Sequence, residues 1–269
     1  MSQCVLITGG ASGLGAALVK HYAKQGARIC IADLHSERAA QVIADNQQSA
    51  ADMFFQRCDI TSQADIEELY DSINTRWGKL DVLINNAGVA TGGALAFEDI
   101  VQWQWVLNIN LLGMVGMTRT FAPLLAQQPK SWLINIASQA GITPIPYMAS
   151  YNASKAAVVS FSETMHLELA KDGIQVSVAC PSFFATNLDE SMRTHQPGVQ
   201  ALVTKLLHRS DIDADTVADI IVRRATAGDF MILTHRAGKK AWWLKRFMPS
   251  QRYLSMMKKK LRHFGPKKI

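Results

Sequence analysis

Short β-rich runs alternate with longer helix-patterned segments along most of the chain, and this rhythm constrains the fold more than any other feature. Residues 4–8, 28–33, 53–57, 80–85, 132–137 and 175–179 read as strands, and segments 13–26, 36–48, 62–77, 99–127, 148–172 and 214–227 carry helical periodicity. Several strands are apolar almost throughout, as in Val82-Leu83-Ile84 and Leu133-Ile134, which is the pattern of strands covered on both faces. The expectation is an α/β protein with a doubly wound parallel β-sheet and helices on both faces. A seventh short strand is expected at 230–233, and region 182–212 breaks the alternation as an insertion over the functional edge of the sheet. No repeat or linker interrupts residues 1–235, so these are expected to form one domain followed by a basic tail, 236–269.

Composition narrows the function classes. With 48% hydrophobic and 19% charged residues the chain is globular rather than disordered. Cys4, Cys30, Cys58 and Cys180 are widely spaced in apolar runs, which suits buried reduced thiols in a cytoplasmic protein better than a disulfide framework or a zinc site. The N-terminus enters a strand directly, so no secretory signal is expected. The most apolar long segment, 103–126, is interrupted by Asn108, Asn110, Arg119 and Pro123 and reads as a buried helix rather than a bilayer span. Twelve Lys or Arg lie in 235–269 and the last acidic side chain is Asp229, so the formal charge of +6 divides into a body with 16 basic against 22 acidic residues and a strongly cationic tail.

Thr8-Gly9-Gly10-Ala11-Ser12-Gly13-Leu14-Gly15 lies between the first strand and first helix, where glycines allow backbone N–H groups to approach a pyrophosphate. Glycine clusters also serve ordinary turns, so the position carries the argument. Asp33 ends the second strand, where a carboxylate can accept hydrogen bonds from an adenosine ribose and repel a 2′-phosphate; it could instead open the helix near Ser36. No Arg or Lys stands at positions 12 or 34, so NAD(H) is preferred over NADP(H). Cys58-Asp59-Ile60 and Asn85-Asn86-Ala87-Gly88 end the third and fourth strands on the carboxyl edge where ligands bind, although both also suit plain turn chemistry.

Ser138 follows the fifth strand, and Tyr151 and Lys155 stand four apart on a predicted helix, which puts phenol and ammonium on one face. Bringing a tyrosine from its ordinary pKa of about 10 to about 7 takes roughly 4 kcal/mol of phenolate stabilisation. A Lys155 ammonium and an oxidised nicotinamide could supply it together.

The set Thr8-Gly9…Gly13…Gly15, Asn85-Asn86-Ala87-Gly88, Asn110, Ser138 and Tyr151…Lys155 resembles the motif set of the short-chain dehydrogenase/reductase family, in family order from residue 3 to about 186. The resemblance implies a Rossmann fold and an oxidoreductase. Tyr151 would be its general acid/base, Ser138 would hydrogen-bond the substrate oxygen, and Lys155 would lower the phenol pKa while contacting the nicotinamide ribose. Asn110 would anchor a water-linked proton relay. Thr8, Gly9, Ser12, Gly13, Leu14, Gly15, Asp33, Asp59, Ile60, Asn86, Ala87 and Gly88 would cradle the cofactor, with Thr186 near the carboxamide. The family often has Pro-Gly after the sixth strand; here the pair is Pro181-Ser182. The resemblance also implies a homodimer or homotetramer built on helices 99–127 and 148–172.

No His/Cys/Asp cluster has metal-ligand spacing, so no metal is expected. Residues 142–148, Phe183, Phe184, Met192, Leu202, Leu206 and Leu207 form an apolar inventory opposite the tyrosine, suggesting a small lipophilic alcohol or ketone (sterol-like, retinoid-like or fatty), unless these side chains are ordinary core. In the tail, Trp242, Trp243, Phe247 and Met248, then Tyr253, Leu254, Met257, Leu261 and Phe264, recur among lysines and arginines like a basic amphipathic helix. Contact with an anionic membrane surface leads, ahead of docking on a neighbouring subunit, with nucleic-acid binding least favoured. A catalytically silent dinucleotide-binding regulator and a lipid-surface interaction protein are the competing function classes.

Overall fold

The computed structural model describes residues 2–185, 188, 190–207, 210 and 212–265. Its strands are β1 (Cys4–Thr8), β2 (Arg28–Asp33), β3 (Asp52–Arg57), β4 (Val82–Asn85), β5 (Ser131–Ile136), β6 (Ile174–Ala179) and β7 (Met231–Ile232). They form one parallel sheet in the order β3-β2-β1-β4-β5-β6-β7. Its described α-helices are α1 (Gly13–Ala23), α2 (Ser36–Asn46), α3 (Gln63–Trp77), α4 (Ile100–Leu107), α5 (Met114–Leu125), α6 (Gln139–Ile142), α7 (Ala149–Glu168), α8 (Val199–Leu207), α9 (Ala214–Thr226), α10 (Arg236–Phe247) and α11 (Ser250–Lys260).

The apolar runs are explained by two separate cores. Val5 and Ile7 of β1, Ile29 and Ile31 of β2, and Val82 and Ile84 of β4 point into a core shared with α1 and α9. Their neighbours Leu6, Cys30 and Leu83 point the opposite way, against Leu69 of α3 and Phe121 of α5. Alternate side chains therefore meet two apolar layers, so no polar alternation survives in the sequence and the doubly wound sheet follows. Because strand order reverses between β1 and β4, the turns leaving their carboxyl ends diverge and open a crevice.

The expected helix 99–127 is divided into three. Between α4 and α5 lies a six-residue π-helical stretch, Asn108–Gly113, and Gly113 presses on Ile60 so closely that a Cβ there would lie 2.8 Å from the Ile60 side chain. A local π turn leaves the overall apolar pattern intact and so escapes a 3.6-residue periodicity. The expected helix 148–172 ends at Glu168 and tightens into a 3₁₀ turn, Leu169–Asp172, closed by left-handed Gly173.

The tail lies back on the body. The Gln139 amide donates to the Gly238 carbonyl at 3.2 Å, Lys245 Nζ donates to the Ile142 carbonyl at 2.6 Å, and the Phe264 ring packs 6.4 Å from that of Tyr147. Among the described residues no helix is long and apolar enough to cross a membrane.

Candidate active site

A cleft of about 870 Å³ follows the carboxyl edge of the sheet from Asp33, past the β1 and β4 turns, to Tyr151 and Lys155. At its floor, Gly9 and Gly13 hold φ of +63° and +51°, the left-handed region that favours glycine. Gly15 is required for space instead: a Cβ there would collide with the Gly9 carbonyl. Ser12 precedes α1 in extended conformation without a side-chain cap, and the first turn holds no acidic residue, so the amide end of α1 is left for an anion.

Thr8, Asn86 and Asp33 fix this loop from three sides. The Thr8 hydroxyl accepts from the N–H groups of Asn86 and Ala87, both at 3.0 Å, and the Asn86 amide donates to the carbonyls of Thr8 and Gly9 at 2.9 and 3.0 Å. Asp33 accepts from Ala11 N–H at 3.0 Å and His35 N–H at 3.0 Å. It therefore braces the glycine loop rather than capping α2, whose N-cap is His35.

Gly9, Ser12, Gly13, Leu14 and Asp33 line the cleft, as do Asp59, Ile60, Asn86, Ala87 and Gly88. Thr8 and Gly15 stand behind the cleft and Asn85 lies in the interior, donating to Thr118 and Asn135. Thr186 falls outside the described residues. Arg38, which the sequence did not single out, also reaches the cleft and pairs with Glu190 across its mouth at 2.9 Å.

At the other end, Ser138 caps α6, its Oγ accepting from Ala140 N–H at 3.1 Å, and the buried Tyr151 lines the same end of the cleft. Lys155 is buried one turn further along α7 and donates to the Ile136 carbonyl at 3.0 Å. Burial pushes its ammonium down to about 8. Burial also raises the Tyr151 phenol above its ordinary value, with Ser138 pulling it partly back. Desolvation therefore dominates the phenol in the protein alone. Cys180 lies beside them, its thiol pushed up to about 12 by burial against the pull of Lys155.

Asn110, at the centre of the π turn, is fully buried behind the cleft. Its amide donates to the Val89 carbonyl and Ser154 hydroxyl, each at 3.0 Å, while its Oδ1 accepts from Val89 N–H at 2.8 Å. Ser154 Oγ in turn donates to the Tyr151 carbonyl at 2.8 Å. The π turn thereby ties the β4 loop to α7. Gly88 passes between the two, since a Cβ there would lie 3.1 Å from Asn110 Oδ1 and 3.2 Å from Lys155 Nζ. Of the apolar inventory, Thr143, Ile145, Phe183, Phe184 and Leu207 line the cleft. Met148 and Met192 are buried with Tyr151 as core, and Leu202 and Leu206 do not line it. Trp105 adds an aromatic wall under the Arg193 guanidinium, 3.8 Å from the ring centre.

Comparison with known proteins agrees with this geometry. A sequence family described as short chain dehydrogenase matches residues 3–197. A relative named 11-beta-hydroxysteroid dehydrogenase A, from Sesamum indicum, is 32% identical over 263 residues, 92% of this chain and 72% of its own length. A putative ketoacyl reductase of Streptomyces coelicolor is 32% identical over 206 residues, covering 76% of this chain and 79% of that protein. Among solved structures, a short chain dehydrogenase/reductase from Burkholderia phymatum in complex with NAD superimposes with a TM-score of 0.87 at 28% identity, over 94% of this chain and 95% of that one.

Proposed function

The chain belongs to the short-chain dehydrogenase/reductase family of NAD(P)-binding oxidoreductases acting on CH–OH and carbonyl groups, and from that premise we propose that it is an NAD(H)-dependent enzyme interconverting a lipophilic alcohol and its carbonyl compound. The observation that carries the proposal is the convergence of Ser138, Tyr151 and Lys155, the last two one helical turn apart, at the apolar end of a cleft whose other end is Asp33.

Bound nicotinamide supplies or accepts the hydride. In the reductive direction Tyr151 gives its phenolic proton to the oxygen of the substrate carbonyl as negative charge develops there. Ser138 Oγ already accepts from Ala140 N–H, so its own proton is free to stabilise that oxygen. Lys155 spends one N–H on the Ile136 carbonyl and has two more for ribose hydroxyls and a path that reprotonates Tyr151. Oxidation runs the same proton steps backwards, with Tyr151 as base. Asn110 is a positioning residue, holding the β4 loop and α7 together and with them the water-linked path.

The amide end of α1, the tight approach at Gly15 and the gap left at Gly88 suit a dinucleotide lying across the crevice. Asp33 favours NAD(H): its carboxylate faces the ribose end and repels a 2′-phosphate, while Arg38 is engaged by Glu190. Thr143, Ile145, Phe183, Phe184, Leu207 and Trp105 favour a lipophilic substrate. Exposed Leu112 and Leu167, on the π turn and α7, suit a homodimer or homotetramer. A panel of alcohols and ketones assayed with NAD(H) and NADP(H) tests the proposal. Turnover of lipophilic substrates with NAD(H) is expected; preference for NADP(H) or for small polar substrates would refute those parts of it.

A further inference from the structure

The tail sorts its aromatic residues onto two faces. Trp242 packs on the body and Tyr253 is buried, whereas Trp243 and Phe247 are 43% and 73% exposed and stack on each other at 5.1 Å with 2° between their planes. Leu244 beside them and Leu254 of α11 are exposed as well. Every described Lys and Arg from Arg236 to Arg262 is exposed, and among the described residues none of them forms a salt bridge. Lys240, Trp243, Leu244 and Phe247 follow at helical spacing on one face, so apolar anchors and cations share it.

We propose that this face of α10, with Leu254 of α11, docks on the surface of an anionic phospholipid bilayer, Trp243 and Phe247 entering the headgroup layer and the surrounding lysines and arginines meeting lipid phosphates and carboxylates. Interleaved aromatic, aliphatic and cationic side chains without any acidic one suit that interface. The four exposed apolar side chains are too few for the roughly 20–30 residues a side of a stable subunit interface, whereas a membrane surface needs only a few anchors beside a cationic cluster. Both ends of the tail are fastened to residues 139–147, the segment that supplies Thr143 and Ile145 to the cleft. Docking would therefore bring the substrate end of the cleft near the lipid; that consequence rests on the lipophilic-substrate reading, and the docking does not.

Co-sedimentation of the full chain with vesicles of phosphatidylcholine, alone or with about one third phosphatidylserine, tests the proposal. Binding to the anionic vesicles only is expected. The Trp243→Ser/Phe247→Ser variant is expected to partition at least about tenfold more weakly, with unchanged circular dichroism and cofactor binding. A second variant, Lys258→Glu/Lys259→Glu/Lys260→Glu, changes only exposed side chains and is expected to lose binding as well. Wild-type protein that ignores anionic vesicles, or binding undiminished in both variants, would overturn the proposal. So would a Trp243→Ser/Phe247→Ser protein that merely changes oligomeric state on gel filtration, which would identify a subunit contact. Vesicle binding needs no turnover, so failure to oxidise lipophilic alcohols would leave this result standing.

Discussion

Glu98 accepts hydrogen bonds from both the backbone N–H and the hydroxyl of Ser150, at 3.2 and 3.0 Å, immediately before Tyr151 in the chain. The Ser150 hydroxyl also meets Thr91 Oγ1 at 2.6 Å, so a buried polar cluster pins the first turn of α7 to the loop after β4. A carboxylate at a helix N-terminus satisfies amides that the helix leaves unpaired. Burial raises the Glu98 carboxyl above its ordinary value.

Glu98→Ala is expected to loosen the turn that carries Tyr151, lowering stability by about 1–3 kcal/mol for the buried groups left unpaired. It is expected to lower kcat about tenfold with little change in cofactor affinity. Glu98→Gln keeps an acceptor oxygen and is expected to restore most of the kcat. Equal loss of kcat in both variants would show that Glu98 does not position Tyr151 through these bonds.

Lys155 gives a pH signature. Its folded-state pKa is depressed to about 8 from an ordinary 10.5, so between these values the unfolded chain holds a proton that the native protein has lost. Stability from this group therefore rises with pH across that window. Chemical unfolding of wild type and Lys155→Met at pH 7 and pH 10 checks the sign. The wild-type minus variant difference is expected to shift towards the wild type at the higher pH, by a few kcal/mol at most. A difference independent of pH would mean that Lys155 titrates normally.

Asp33→Ser removes the charge that faces the ribose and the acceptor that holds Ala11 N–H. Affinity for NADH is expected to fall about tenfold, and the ratio of NAD(H) to NADP(H) kcat/KM to narrow by a larger factor. Fluorescence titration and parallel steady-state assays read both. An unchanged ratio would show that cofactor choice resides elsewhere.

Gly15→Ala and Gly26→Ala separate two uses of glycine. At Gly15 a Cβ has no room against the Gly9 carbonyl, so the loop must move and NADH binding is expected to weaken at least about tenfold. Gly26 has φ +70° with nothing within 4 Å, so its alanine variant is expected to lose about 1 kcal/mol of stability and no cofactor affinity. Equal cofactor affinity in the two variants would contradict the loop packing.

The sheet was legible because each strand carries its own burial signal: Val82-Leu83-Ile84 faces two cores and is apolar at every position. The cleft residues at Gly9, Asp33, Tyr151 and Lys155 were legible because their spacing is local and the strand ends bring them to one edge. The cluster of Glu98, Thr91 and Ser150 was not, since separations of 52 and 59 residues close only in the fold. Nor does periodicity reveal the π turn that centres Asn110, or which of the adjacent Trp242 and Trp243 faces the body. The raised phenol pKa of the protein alone was not legible either, since a residue spacing records the lysine but not the desolvation of both groups.

The central claim is that Tyr151 carries the proton that accompanies hydride transfer, and Tyr151→Phe tests it most directly because the ring is kept and only the hydroxyl is lost. Single-turnover reduction of the best carbonyl substrate from the panel, followed by loss of NADH absorbance, is expected to slow by about 10²–10⁴-fold while NADH affinity stays within about twofold. A Tyr151→Phe enzyme that oxidises NADH at the wild-type rate would contradict the account.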